Sequence, residues 1–168
     1  MLREIHINKS LEGFLMCKVV SKEFKTVVIK NKGLFKDYAH LVPETARDFL
    51  KQGHLVQNSS GLEVSIYEPK RGEDHLEGIF FVGYLVHEKA DTLPDGMKYI
   101  EVQHKYATIR GKALEMGDLY VRLNNWISEQ GHQQDSFDNY ILEVYYPIEN
   151  EDEDAEVYIP IKNEPLKI

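Results

Sequence analysis

A chain of 168 residues with 42% hydrophobic content can bury one sizeable core, while a formal charge of −8 and the lack of a Lys/Arg cluster among aromatics exclude a phosphate-backbone partner. The single cysteine, Cys17, excludes an intrachain disulfide framework and fits a reducing compartment. The Met1 to Phe14 stretch is broken by Arg3, Glu4, Lys9 and Glu12, and no apolar run reaches membrane-spanning length, so the reading is a cytoplasmic protein without signal peptide or membrane contact.

In chain order, strand-like runs fall near Phe14 to Val20 and at Lys25 to Lys30. A first helix follows, with the stripe Ala46, Phe49 and Leu50 closed by Gly53; Pro43 marks its first turn or a kink and predicts a shorter or bent helix. Strands come next at Leu62 to Tyr67 and Ile79 to Val86, joined by the charged connection Glu68 to Glu77. The turn Leu93-Pro94-Asp95-Gly96 leads to Met97 to Val102 and Lys105 to Ile109. Leu119, Leu123, Trp126 and Ile127 then fall at i, i+4, i+7 and i+8, a helical stripe over roughly 115–130 that closes at Gly131. Ile141 to Tyr146, an acidic connection from Glu149 to Ala155, and Glu156 to Ile161 complete the chain, for six to eight strands in all.

This order repeats. Residues 23–74 recur without a gap at 101–152, as the pairs Gly33/Gly111, Leu41/Leu119, Gly53/Gly131, His54/His132, Tyr67/Tyr145 and Pro69/Pro147 show. The pairs gather at turns and element ends, where backbone geometry selects the residue type. The offset predicts an α+β fold: a duplicated β-α-β-β unit with pseudo-twofold symmetry, within a single domain over 1–168 whose repeats cover about 14–90 and 92–168. The sheet is expected to be antiparallel, with two helices on one face and a ligand cleft on the other.

Alternation along the strands sorts the faces. Leu142, Val144, Val64 and Ile66 form aliphatic sets suited to the helices, as do Ala107, Ile109, Val157 and Ile159. The opposite sets hold Glu143, Tyr145, Tyr67, Tyr106, Tyr158, Phe80 and Tyr84, an aromatic face with one carboxylate, which reads as a cleft lining. Glu143 is the sharpest of these, because its counterpart in the first repeat is Ser65. A carboxylate ringed by tyrosines suits a lipophilic cation, through Coulomb attraction and cation–π terms of about 0.5–2 kcal/mol each. Trp126 is read as core, and the scattered histidines show no zinc spacing. The acidic connection lacks the glycine of a calcium loop, and no phosphate-loop, dinucleotide or G-x-S-x-G motif occurs. Neither a metal nor a cofactor is expected.

Several of these features together carry a resemblance: Leu93-Pro94-Asp95-Gly96-Met97, Tyr106-Ala107 before Gly111, Trp126 to Gly131, Glu143-Val144-Tyr145 before Pro147, and Glu156-Val157-Tyr158-Ile159-Pro160-Ile161-Lys162. In order and spacing the chain resembles the GyrI-like family, the effector-binding domains of bacterial transcription activators. The resemblance implies that Glu143 is the pocket glutamate, that Tyr106 is the tyrosine before the second helix, and that lipophilic cationic aromatic compounds are the ligands. No helix-turn-helix segment precedes the domain, so a stand-alone sensing or sequestering protein is expected. The alternatives are a hydrolase of electrophilic natural products, with Glu143 as general base and Tyr106 or Tyr145 as proton donor, and a protein-interaction module of the gyrase-inhibitor type. The oligomeric state is left open.

Overall fold

Six strands and two helices follow one another as β1 (Lys18–Leu34), α1 (Tyr38–Leu50), β2 (Ser59–Tyr67), β3 (Glu77–Val86), β4 (Lys98–Lys112), α2 (Met116–Glu129), β5 (Ile141–Tyr146) and β6 (Asp154–Pro160) in a computed structural model that describes residues 14–163. The N-terminal stretch read above for a signal peptide, up to Gly13, and the end of the second repeat lie outside these residues. Each helix is entered through a 3-10 turn, Phe35–Asp37 or Ala113–Glu115. All strand neighbours are antiparallel, and the order β1-β3-β2-β5-β6-β4 closes on itself because β4 also pairs with β1.

The larger of the strand counts expected from sequence is not realised. Phe14 to Val20 and Lys25 to Lys30 belong largely to one continuous strand, and so do Met97 to Val102 and Lys105 to Ile109. The polar residues Ser21, Glu23 and Gln103 between these runs are exposed residues of β1 and β4. These two strands are long because each serves two partners: Lys18 to Val28 pairs with β4, and Thr26 to Leu34 pairs with β3. Likewise β4 continues from β1 to β6.

Two pairings connect the halves. Phe24 lies opposite Val102 and Ser65 opposite Glu143, and in each case the partners are residues that the sequence offset relates. The offset slips in the last strand. Val28 faces Gly83, but its counterpart Tyr106 faces Pro160 rather than Ile161, so the acidic connection before β6 is one residue short.

Closure produces three apolar clusters where an open sheet would have one buried face. All six strands supply the interior cluster, including Phe24, Val64, Ile66, Phe81, Tyr106, Leu142, Val144 and Tyr158. A second forms under α1, where Val42 and Phe49 meet Val27, Phe80 and Val82, and a third under α2, where Leu119, Leu123 and Ile127 meet Ala107, Ile109, Val157 and Ile159. Trp126 is partly buried beside the third. In α1 the buried residues are Val42, Thr45 and Phe49, whereas Leu50 is 41% exposed, because the buried stripe follows i, i+3, i+7 and passes Leu50 by.

The two glycines expected to end the helices do different work. Gly131 has φ +75°, with its own N–H donating to the Ser128 carbonyl and that of His132 to the Ile127 carbonyl, a Schellman closure. Nothing lies within 4 Å of a Cβ placed there. Gly131→Ala is therefore expected to cost about 1 kcal/mol of stability through backbone conformation alone, measured by urea denaturation. Gly53 instead joins a 3-10 turn, Gly53–Leu55, and leaves room for Tyr84, whose ring would lie 3.0 Å from an added Cβ.

Candidate functional site

Strands β2 and β5 are adjacent in the ring, flanked by the pairs that α1 and α2 cover. Alternation sends Val64, Ile66, Leu142 and Val144 into the barrel interior and turns Tyr67, Ile141, Glu143 and Tyr145 outward, into the space between the two helices. For β2 and β5 this reverses the assignment expected from sequence, which placed their aliphatic sets under the helices and the cleft on the helix-free face, whereas Ala107, Ile109, Val157 and Ile159 of β4 and β6 do lie under α2 as expected. A closed barrel has an apolar interior of its own, and the more aliphatic alternate set of β2 and β5 fills it.

The outward residues floor a cavity of about 1000 Å³. One wall comes from the start of α1 and its entering turn, with Phe35, Tyr38, Val42 and Pro43; the facing wall comes from Ala113, Leu114, Met116 and Tyr120. The walls are built from corresponding positions. Phe35 matches Ala113, Tyr38 matches Met116, Val42 matches Tyr120, and Tyr67 matches Tyr145 on the floor. Pro43 lies inside α1 and has no N–H, so the Ala39 carbonyl loses its helical donor, and both residues line the cavity.

Glu143 lies at the floor, only 6% exposed. Its Oε1 accepts hydrogen bonds from Tyr145 at 2.5 Å and Tyr67 at 3.1 Å, and its Oε2 accepts one from Tyr120 at 2.5 Å. Hydrogen bonds to an ionised acceptor are short and strong, which is how a buried carboxylate is tolerated. Burial pushes the Glu143 carboxyl above the usual glutamate range, while the hydroxyls of Tyr120, Tyr145 and Tyr67 pull it back. Burial and then the nearby Glu143 charge hold the hydroxyls of Tyr67, Tyr120 and Tyr145 above the usual tyrosine range, so all three remain donors. Tyr38 is pushed up to about 12, first by burial and then by Glu68 and Glu77. At the rim, Glu68 is engaged by Arg71 at 2.7 Å and His75 at 3.4 Å; Lys70, Asp152 and Glu153 complete the charged lining. The cavity thus offers an apolar, aromatic volume whose one deeply buried charge is negative.

Of the residues selected from sequence, Glu143, Tyr145 and Tyr67 come together here. The other four do not line this cavity. Tyr106 and Tyr158 point into the barrel interior, 1% and 2% exposed, where both pack edge-on against Phe24 at centroid distances of 5.7 and 4.9 Å. Phe80 is buried beneath α1, 5.0 Å from the Tyr38 ring, and Tyr84 packs against Phe49 at 5.1 Å. The cause is parity: on β3, β4 and β6 the aromatic residues do not all alternate toward one side, and on a closed sheet each side is buried by a different partner.

Reading faces from strands alone also missed the helix-borne Tyr120, along with Phe35, Tyr38 and Met116. A usable signal existed for Tyr120. It occupies the position of Val42, the residue before the proline in the first helix, so the repeat that singled out Glu143 also places a tyrosine opposite the first helix's apolar wall.

No family model and no curated protein matches the sequence. Solved structures do resemble the fold. SAV2435 bound to tetraphenylphosphonium matches with a TM-score of 0.65 over 88% of this chain and 94% of its own, at 12% identity. An integron cassette protein from the mobile metagenome of Vibrio cholerae matches with a TM-score of 0.58 over 89% and 97%, at 14% identity. The EcmrR C-terminal domain matches with a TM-score of 0.53 over 88% and 98%, also at 14% identity. The chain shares the fold of these structures: α+β, with six antiparallel strands and two helices among the described residues.

Proposed function

We propose that the chain binds lipophilic aromatic cations in the cavity between its helices, with Glu143 as the counter-charge. The observation that carries this reading is a carboxylate buried at the cavity floor with three tyrosine hydroxyls and, among the described residues, no cation as its partners. A cation entering the cavity supplies the missing opposite charge, and the rings of Tyr38, Tyr67, Tyr120 and Tyr145 add stacking and cation–π attraction. The tetraphenylphosphonium bound to SAV2435, a protein of this fold, supports the ligand class. The two halves are inferred to be copies related by a pseudo-twofold axis passing between Phe24 and Val102 and between Ser65 and Glu143, within one ligand-binding domain. On that arrangement Glu143 stands beside the axis, and the Glu-for-Ser difference makes a near-symmetric cavity charged at one point.

Hydrolysis is the weaker reading. Tyr106, one of its two proton donors, points into the barrel interior, and Tyr145 already donates to the carboxylate that would act as base. A protein-interaction role would rest on the acidic surface and leaves the buried glutamate without a purpose.

Calorimetric titration with tetraphenylphosphonium and with neutral triphenylphosphine oxide tests the reading: the cation is expected to bind with the higher affinity. Equal affinities would reject a counter-charge role for Glu143. The pH dependence supplies a second test. Because burial raises the Glu143 pKa, affinity for a permanent cation is full above that raised value and declines as pH falls through it, above the range of an ordinary glutamate. Tyr120→Phe removes a hydroxyl that lowers this pKa, so the decline should move to still higher pH. An affinity independent of pH down to the ordinary glutamate range would contradict the assignment.

A further inference from the structure

The cavity does not end at Tyr145. A second hollow of about 220 Å³ opens on the other side of that ring and shares Val42, Pro43, Tyr145 and Glu153 with the first. Its own distinguishing residue is Glu63, an outward residue of β2 lying opposite Tyr84 of β3. Glu63 is two positions from Ser65, the residue facing Glu143, which sets its backbone about 7 Å along the strand from the first carboxylate's partner. Among the described residues, neither the Glu63 nor the Glu153 side chain has an ion-pair or hydrogen-bond partner, whereas Glu68, on the opposite side of the main cavity, is engaged by Arg71 and His75.

We propose that the ligands of this site are two-headed: a bulky aromatic cation seated over Glu143 and a slim arm that passes Tyr145 to place a second positive group between Glu63 and Glu153. This rests on the reading of the main cavity as the ligand site and goes beyond it by assigning the side hollow and the ligand's second charge. The dimensions fit, since 220 Å³ accepts a short chain with a small ammonium head but not a second bulky triaryl group. The chemistry also fits. The half-buried Glu63 carboxyl is raised first by burial and then by the Glu153 charge, and Glu153 is raised by its own burial, so a cation placed between them would relieve both. Apart from Ser65, Tyr145 and the two acids, the wall of this hollow is apolar, with Val42, Pro43, Phe49 and Val82, which suits the methylene chain of such an arm.

The test compares two triphenylphosphonium compounds with butyl arms, one ending in trimethylammonium and the other in the isosteric, neutral tert-butyl group. Calorimetry on the wild type is expected to show the dication binding about tenfold tighter, because a second charge meets two partly desolvated carboxylates. In Glu63→Gln that advantage should fall below about threefold while the affinity for the tert-butyl compound stays within about twofold, since its only charge lies over Glu143. Glu129→Gln, which removes an exposed acid at the far end of α2, should leave the tenfold ratio intact. Equal affinities of the two compounds for the wild type would overturn the proposal while leaving the main site standing. So would an advantage that survives Glu63→Gln combined with Glu153→Gln, or one that falls equally in Glu129→Gln, which would trace it to the general negative field. If neither compound binds, the main-site reading fails and this one with it.

Discussion

Glu143→Gln is expected to weaken binding of tetraphenylphosphonium by about 1–3 kcal/mol while changing the affinity for a neutral aromatic of similar size by a few tenths. The substitution keeps the shape of the side chain and removes its charge. Tyr67 and Tyr145 donate to Oε1, so an amide oriented with its oxygen there preserves both bonds, and only the partner of Tyr120 changes from acceptor to donor. A hydroxyl can also accept, so the Tyr120 rotor can turn to meet the amide. The loss should therefore report mainly on charge. Calorimetry with both ligands on both proteins separates the cases: equal losses would assign Glu143 a role in shape or hydrogen bonding, and no loss for either would make it a bystander. If the wild type instead consumes an electrophilic substrate, with turnover abolished by Glu143→Gln while binding survives, the hydrolase reading takes its place.

Tyr106→Ala is expected to destabilise the fold by about 3–5 kcal/mol, the range for removing a large aromatic side chain from a packed interior. Tyr106 is 1% exposed and lies 5.7 Å from the Phe24 ring and 5.9 Å from that of Tyr158, so its removal opens a void among residues from three strands. Urea denaturation measures the loss. Tyr106→Phe provides the discriminating control, because it keeps the ring and removes only the hydroxyl. Cation affinity should be unchanged in that variant. A large affinity loss in Tyr106→Phe with stability preserved would return Tyr106 to the ligand site and contradict its placement in the barrel interior.

The order of elements was legible from residues alone, because each signal is local. Apolar spacing at i, i+4, i+7 and i+8 marks α2, Gly131 with its positive φ ends it, and short β-favouring runs mark the strands. Glu143 was legible for another reason: comparison of two corresponding segments exposes a difference, Glu against Ser, that no single segment reveals. Alternation also separated Glu143, Tyr145 and Tyr67 correctly from Leu142, Val144, Val64 and Ile66 as sets.

Which set faced which way was decided only by closure of the sheet. Period-two alternation says that two sets point apart; it carries no information on what lies beyond either. In an open sheet the aliphatic set would meet the helices. Here β4 returns to pair with β1, the ring encloses its own apolar interior, and that interior takes Leu142, Val144, Tyr106 and Tyr158. The helices then cover the outside, over the strands flanking β2 and β5, and leave Glu143 in the groove between them. Tyr120 reaches the same carboxylate from a residue 23 positions away along the chain, on a different element. Such a contact depends on where α2 rests on the barrel, and that position is set by the packing of Leu119, Leu123 and Ile127 against β4 and β6, a long-range arrangement that no local pattern encodes.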